Sequence, residues 1–169
     1  MMRIGLAVAV ATLAVTGAAH GQEPLCDSTK TIMSSVTNSA WPEAVPSLMF
    51  DGQPVKCTRI SDRLVSCNLA VLRVCANEEP TPEQHATFQT RLQKVFAQLP
   101  NAMQACLVGR GQAPHSKTTN FDGYLNQDRG IRFVKAGEPT VALVEGVSRQ
   151  INGDMRCETT STSVEFEIE

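Results

Sequence analysis

Aromatic residues are scarce in this 169-residue sequence, at 5%, histidine occurs three times, and neither sign of charge dominates: 15 Lys and Arg stand against 17 Asp and Glu, a formal net charge of −2. A nucleic-acid binder draws its affinity from clustered Lys and Arg facing phosphates. No basic block is present, so neither nucleic acid nor an anionic membrane surface is the expected partner. Long apolar runs are also missing. The longest, Ile4–Val15, is interrupted by Thr12 and falls short of the roughly 20 residues that cross a bilayer, so no stable membrane anchor is expected. Cys-x-x-Cys, His-Glu-x-x-His, a phosphate-binding Gly-Lys-Ser/Thr loop, a calcium loop and Gly-x-Ser-x-Gly are all absent. Nothing therefore asks for a metal or a cofactor. What remains is ordinary: 42% hydrophobic and 19% charged residues fit a globular chain with one packed core, and the length fits one domain.

The N-terminus points to export. Arg3 supplies a positive charge, Ile4–Val15 an apolar stretch, and Ala19 and Gly21 put small residues three and one positions before the bond to Gln22. That order is the pattern of a secretory signal peptide, expected over residues 1–21 with cleavage near Gly21-Gln22. Residues 22–169 then form a single domain. Cleavage leaves 148 residues and, with Arg3 gone, 14 basic against 17 acidic groups, a charge of −3. The Ala/Val-rich leader and the lack of an Asn-x-Ser/Thr sequon fit a bacterial periplasmic or secreted protein.

All six cysteines, Cys26, Cys57, Cys67, Cys75, Cys106 and Cys157, lie in the mature part. An even count in an exported chain reads as a framework of three disulfides, with 15 possible connectivities. One pair follows from register. Val55–Ile60 and Leu64–Val71 read as strands, and a three-residue loop at Ser61-Asp62-Arg63 pairs Ile60 with Leu64 and brings Cys57 opposite Cys67.

Periodicity divides the rest. Ile32, Met33 and Val36 suggest a short amphipathic helix within the block Asp27–Met49, stopped by Pro42 and Pro46. Thr81-Pro82-Glu83-Gln84 is a capping box with proline at the first helical position. Phe88, Leu92, Val95, Phe96 and Leu99 follow as one stripe, with Pro100 expected to end that helix and Asn101 to cap a second short one. Gly109–Gln127 reads as a long polar loop. From Ile131 onward the period changes to two: Thr140–Ile151 and Asp154–Thr160 read as strands about an Asn152-Gly153 turn, and Val164, Phe166 and Ile168 alternate with glutamates as an edge strand. The fold expected is α+β: an N-terminal helical and hairpin part and one main amphipathic helix, packed on a C-terminal antiparallel sheet of about four strands and stapled by disulfides.

His115, Ser116 and Asp122 in the long loop are the residue types of a nucleophile and its base, but no strained elbow surrounds them. The expectation is a binding protein rather than an enzyme: a small periplasmic or secreted protein acting on a protein partner in the cell envelope, as an inhibitor or immunity-type protein does. A small hydrolase using His115, Ser116 and Asp122 is the first alternative. A structural envelope component self-associating through the Val164–Ile168 edge is the second. Candidate partner-binding residues are the loop-associated aromatics Trp41, Phe50, Phe121 and Tyr124, with His115. Arg149 and Arg156 join them. The Asn152-Gly153 turn places the two arginines opposite each other, so each needs an acidic partner such as Glu158, Glu165 or Glu167, or an anionic ligand.

Overall fold

A computed structural model describes residues 22–37, 45–121, 124–152 and 155–168. The expected signal peptide, Trp41 and Asp122 lie outside the described residues, as does the side chain of Phe121.

Helix α1 spans Gln22–Thr37 and buries Leu25, Thr29, Ile32 and Val36, one stripe at helical spacing. A two-stranded hairpin follows, β1 (Leu48–Phe50) and β2 (Gln53–Val55). Its two turn residues, Asp51 and Gly52, both have positive φ, the requirement of a type I′ turn. Phe50, one of the candidate partner-binding aromatics, lies in the main core at 6% exposure. Its strand turns it inward beneath α1.

The main sheet has six antiparallel strands, two more than expected: β3 (Cys57–Ser61), β4 (Leu64–Cys75), β5 (Gly111–Phe121), β6 (Tyr124–Val134), β7 (Thr140–Asn152) and β8 (Met155–Glu167), in the order β3-β4-β8-β7-β6-β5. The count differs because the hairpin expected in the N-terminal part joins this sheet as β3 and β4, the supposed loop Gly109–Gln127 is instead β5 and the start of β6, and the expected strands Asp154–Thr160 and Val164–Ile168 are one continuous strand, β8. The polar residues of β5 pair rung by rung from Gly111↔Val134 to Phe121↔Tyr124. A strand at the border of a sheet needs no apolar period, because neither of its faces has to be buried.

Register differs from expectation in three places. The β3–β4 turn is one residue tighter, with Ser61 opposite Leu64 and Ile60 bulged out at 60% exposure. The extra residue on β3 offsets the shorter turn, so Cys57 still faces Cys67, and the two are bonded. At the other end Asn152 pairs with Met155, which moves Arg149 opposite Glu158 rather than Arg156. Finally β8 lies between β4 and β7 from Cys157 to Glu167, so the expected edge strand at Val164–Ile168 is not a sheet edge. Its alternating glutamates face the sheet's second surface, and the real borders are β3 and β5.

Helix α2 runs unbroken over Pro82–Cys106, through Pro100. The capping box is complete: Gln84 N–H donates to Thr81 Oγ1 at 3.2 Å and Thr81 N–H to Gln84 Oε1 at 2.7 Å. Leu99 and Met103 are both fully buried, so the packing on either side of Pro100 holds the helix together despite the missing N–H. Phe96, at the border of the stripe, is 44% exposed.

One face of the sheet carries the core. Val65, Cys67, Phe133, Val141, Leu143, Val164 and Phe166 meet Ile32, Val36, Val95, Leu99 and Met103 of the helices. Cys26–Cys106 joins the helices to each other and Cys75–Cys157 joins β4 to β8. The buried Arg110 bridges the α2–β5 connection to the β6–β7 turn, donating to Pro139 O at 2.6 Å and pairing with Glu138 at 2.7 Å. Among the described residues, no helix is long and apolar enough to cross a membrane.

Candidate functional site: a polar sheet face and a charged groove

Two surfaces gather chemically capable side chains. The first is the sheet face opposite the helices. Register sets His115 beside Gly130 and Lys117 beside Asp128, and continues across Gly146 to Ser161. The Asp128 carboxylate reaches over β7: a Cβ on Gly146 would lie 2.7 Å from Asp128 Oδ1 and 3.3 Å from Ser161 Oγ. Asn126 Nδ2 donates to Asp128 Oδ2 at 2.6 Å. Burial raises the Asp128 pKa, against the Asn126 hydrogen bond and the charges of His115 and Lys117. Burial also raises Glu165, helped by the nearby Asp128 charge and opposed by Lys117. Gly130 is sterically fixed, since a Cβ there would sit 1.9 Å from Leu143 O. His115 Nε2 is buried with no hydrogen-bond partner among the described residues.

His115 and Ser116 are consecutive in a strand, so they project from opposite faces. That separates the two residues the hydrolase alternative needs together. Among the described residues no group of three or more His, Cys, Asp or Glu is placed to hold a metal ion.

The second surface runs round the connection between β4 and α2. Because β3 ends at the Cys57–Cys67 rung, β4 has no neighbouring strand beyond Cys67 on its outer side among the described residues, and α2 passes alongside. A cleft of about 510 Å³ separates Ala70–Arg73 from Gln84, Phe88 and Arg91. It continues into one of about 850 Å³ that shares Arg73, Pro80 and Gln84 and adds Glu78 and Glu79. A third, about 350 Å³, joins through Cys75 and Glu79 and brings in Arg149, Arg156 and Glu158 about the Cys75–Cys157 bridge. Arg149 Nε contacts Glu158 Oε2 at 2.7 Å, and Arg73 Nη2 lies 3.5 Å from Cys157 Sγ. Arg91 Nε donates to Leu69 O on the outer side of β4.

The structure thus brings Arg149 and Arg156 to one groove, although not as an opposed pair. Tyr124 is 39% exposed at the start of β6 and His115 lies on the polar face, both away from the groove. Arg73, Glu79 and Arg91 were not among the expected site residues. The signal for them is a mismatch of length: β3 pairs only with Leu64–Cys67 of the 12-residue β4, which leaves Asn68–Cys75 without a strand on the outer side among the described residues. Comparison with protein-family models, with curated proteins and with solved structures finds no match.

Proposed function

We propose that this chain is exported, to a periplasm or the surrounding medium, and works there as a small binding protein on a protein partner of the cell envelope, in the manner of an inhibitor or immunity-type protein. The observation that carries this reading is the set of three clefts round the β4–α2 connection, adjacent through shared lining residues, where Arg73, Arg149 and Arg156 are interspersed with Glu78, Glu79 and Glu158. Charges of both signs on a concave rim serve to select a partner and fix its register more than to add affinity. Three disulfides support an oxidising compartment, because reducing cytosol keeps such thiols apart. Self-association, the other reading with an observation behind it, moves from Val164–Ile168 to β5, whose outer side has no strand neighbour among the described residues but carries Pro114.

The test is site-specific photo-crosslinking of the disulfide-bonded protein in a periplasmic extract. A crosslinker at Glu79 is expected to give one discrete adduct, competed by excess unlabelled protein and lost in the Arg149→Ala, Arg156→Ala double variant. No adduct, or an equal adduct from a crosslinker at Thr118 on β5, refutes the reading.

A further inference from the structure

The outer side of β4 defines the kind of partner more closely. In an antiparallel strand the N–H and C=O of one residue point to the same side, and successive residues alternate. Cys75 faces outward: its N–H donates to Glu78 O at 3.3 Å and its C=O accepts from Glu78 N–H at 3.0 Å. Steps of two then direct the N–H and C=O of Arg73 and Val71 outward as well. Leu69, whose C=O receives Arg91 Nε, follows the same side. Val71 and Arg73 have no strand neighbour there, and no backbone hydrogen bond reaches them from that side among the described residues. Val71 is 52% exposed, and the 510 Å³ cleft runs beside both. The two free rungs are bounded by Arg91 at one end and Glu78 at the other.

We infer that the outer edge of β4 at Val71 and Arg73 is a slot for one extended segment of the partner protein, which docks between β4 and α2 as an added antiparallel strand. The inference rests on the protein-binding reading and names its mode. Only an extended backbone presents a donor and an acceptor together at every second residue, so the slot selects a strand over a helix. Its chemistry follows from the faces. The residue opposite Arg73 shares that side chain's surface, where an acidic group makes the favourable cross-strand pair. The next residue turns to the helix side, where Ala70, Leu72 and Phe88 offer an apolar seat. The residue after it lies opposite Val71 and suits a β-branched side chain. In chain order the segment reads acidic, apolar, β-branched.

The probe is the capped peptide acetyl-Thr-Glu-Leu-Val-Thr-amide, titrated into the full disulfide-bonded protein and followed by amide NMR. Saturable binding is expected at about 1 mM or tighter, with the Val71 and Arg73 amides shifting and their hydrogen exchange slowing. N-methylation of the peptide's Glu and Val amides, which face β4, is expected to weaken binding at least tenfold, whereas N-methylation of the Leu amide leaves it unchanged. Val71→Pro removes one outward N–H and is expected to act like the first peptide; the methylated pair decides should that variant fold poorly. Equal binding of the two methylated peptides, shifts centred elsewhere, or no saturation overturns the slot. A discrete crosslinked partner together with a blank peptide titration sinks strand addition alone. A bound peptide with no crosslinked partner supports the slot and counts against the envelope-protein reading.

Discussion

Asp128 and Glu165 hold their protons more tightly in the folded chain than an exposed carboxyl does, because burial on the polar face disfavours both charges. The consequence for stability has a definite sign. A carboxyl whose pKa is raised by folding contributes its full stabilisation below the unfolded value, about 4, and that contribution is lost as pH rises through the folded value. Stability should therefore fall as pH climbs from about 4 toward neutrality, and Glu165→Gln should flatten that part of the curve. Urea unfolding at a series of pH values measures it, and an unchanged slope in the variant would contradict burial of Glu165 as the cause. Glu138 acts in the opposite sense: Lys135 and Arg110 lower its pKa, so its contribution is lost only as pH falls into the acid range. None of this could be read from the sequence, where Asp128 is one acid among many and Glu165 resembles an outward-facing edge residue. What places them is the register between strands, which pairs Asp128 with Lys117 and Gly146 and Glu165 with Ala142, and the room that Gly130 and Gly146 leave above the sheet.

Helix α2 shows which signals are strong enough to survive packing. The capping box at Thr81 and the stripe through Phe88, Val95 and Leu99 were legible because they are local and repeat at the helical period. The stop at Pro100 was not, since proline sets only a cost, and the burial of Leu99 and Met103 and the Cys26–Cys106 bridge outweigh it. Proline in a helix interior costs about 3 kcal/mol relative to alanine. Pro100→Ala should accordingly stabilise the protein, by about 1–3 kcal/mol after allowing for local adjustment, as a higher urea midpoint with the same m-value. A destabilised variant would mean that Pro100 sets a bend on which the packing of Met103 depends. The β5–β6 hairpin illustrates the converse. Both faces of β5 are largely solvated, so no apolar alternation marks it, and glycine and proline at its start imitate a loop. A strand with an unburied surface is nearly invisible to hydrophobic patterning.

At the scale of the whole molecule, the six cysteines divide into one local staple and two long ones. Cys57–Cys67 spans 10 residues, Cys26–Cys106 spans 80 and Cys75–Cys157 spans 82. Only the first was within reach of the sequence, because a hairpin fixes its partners through turn length, whereas the others depend on helices meeting and on β8 returning beside β4. Loop-closure entropy assigns the long bridges about 4.5 kcal/mol each and the short one about 2.7 kcal/mol. Paired Cys→Ser replacement of Cys75 and Cys157 should thus lower unfolding stability by more than replacement of Cys57 and Cys67. Non-reducing peptide mapping of the protein prepared under oxidising conditions should find these three linkages and no free thiol. A different connectivity would break the register of β4 against β8, where Cys75 directly opposes Cys157. The same bridge closes the end of β4 beside Glu78 and the three arginines of the groove. Its removal should therefore weaken partner capture at Glu79 even at temperatures where the core stays folded, an effect that loss of the Cys57–Cys67 staple should not share. Crosslinking yield for the two double variants, compared at equal folded fraction, separates a bridge that shapes the groove from one that only restrains the unfolded chain.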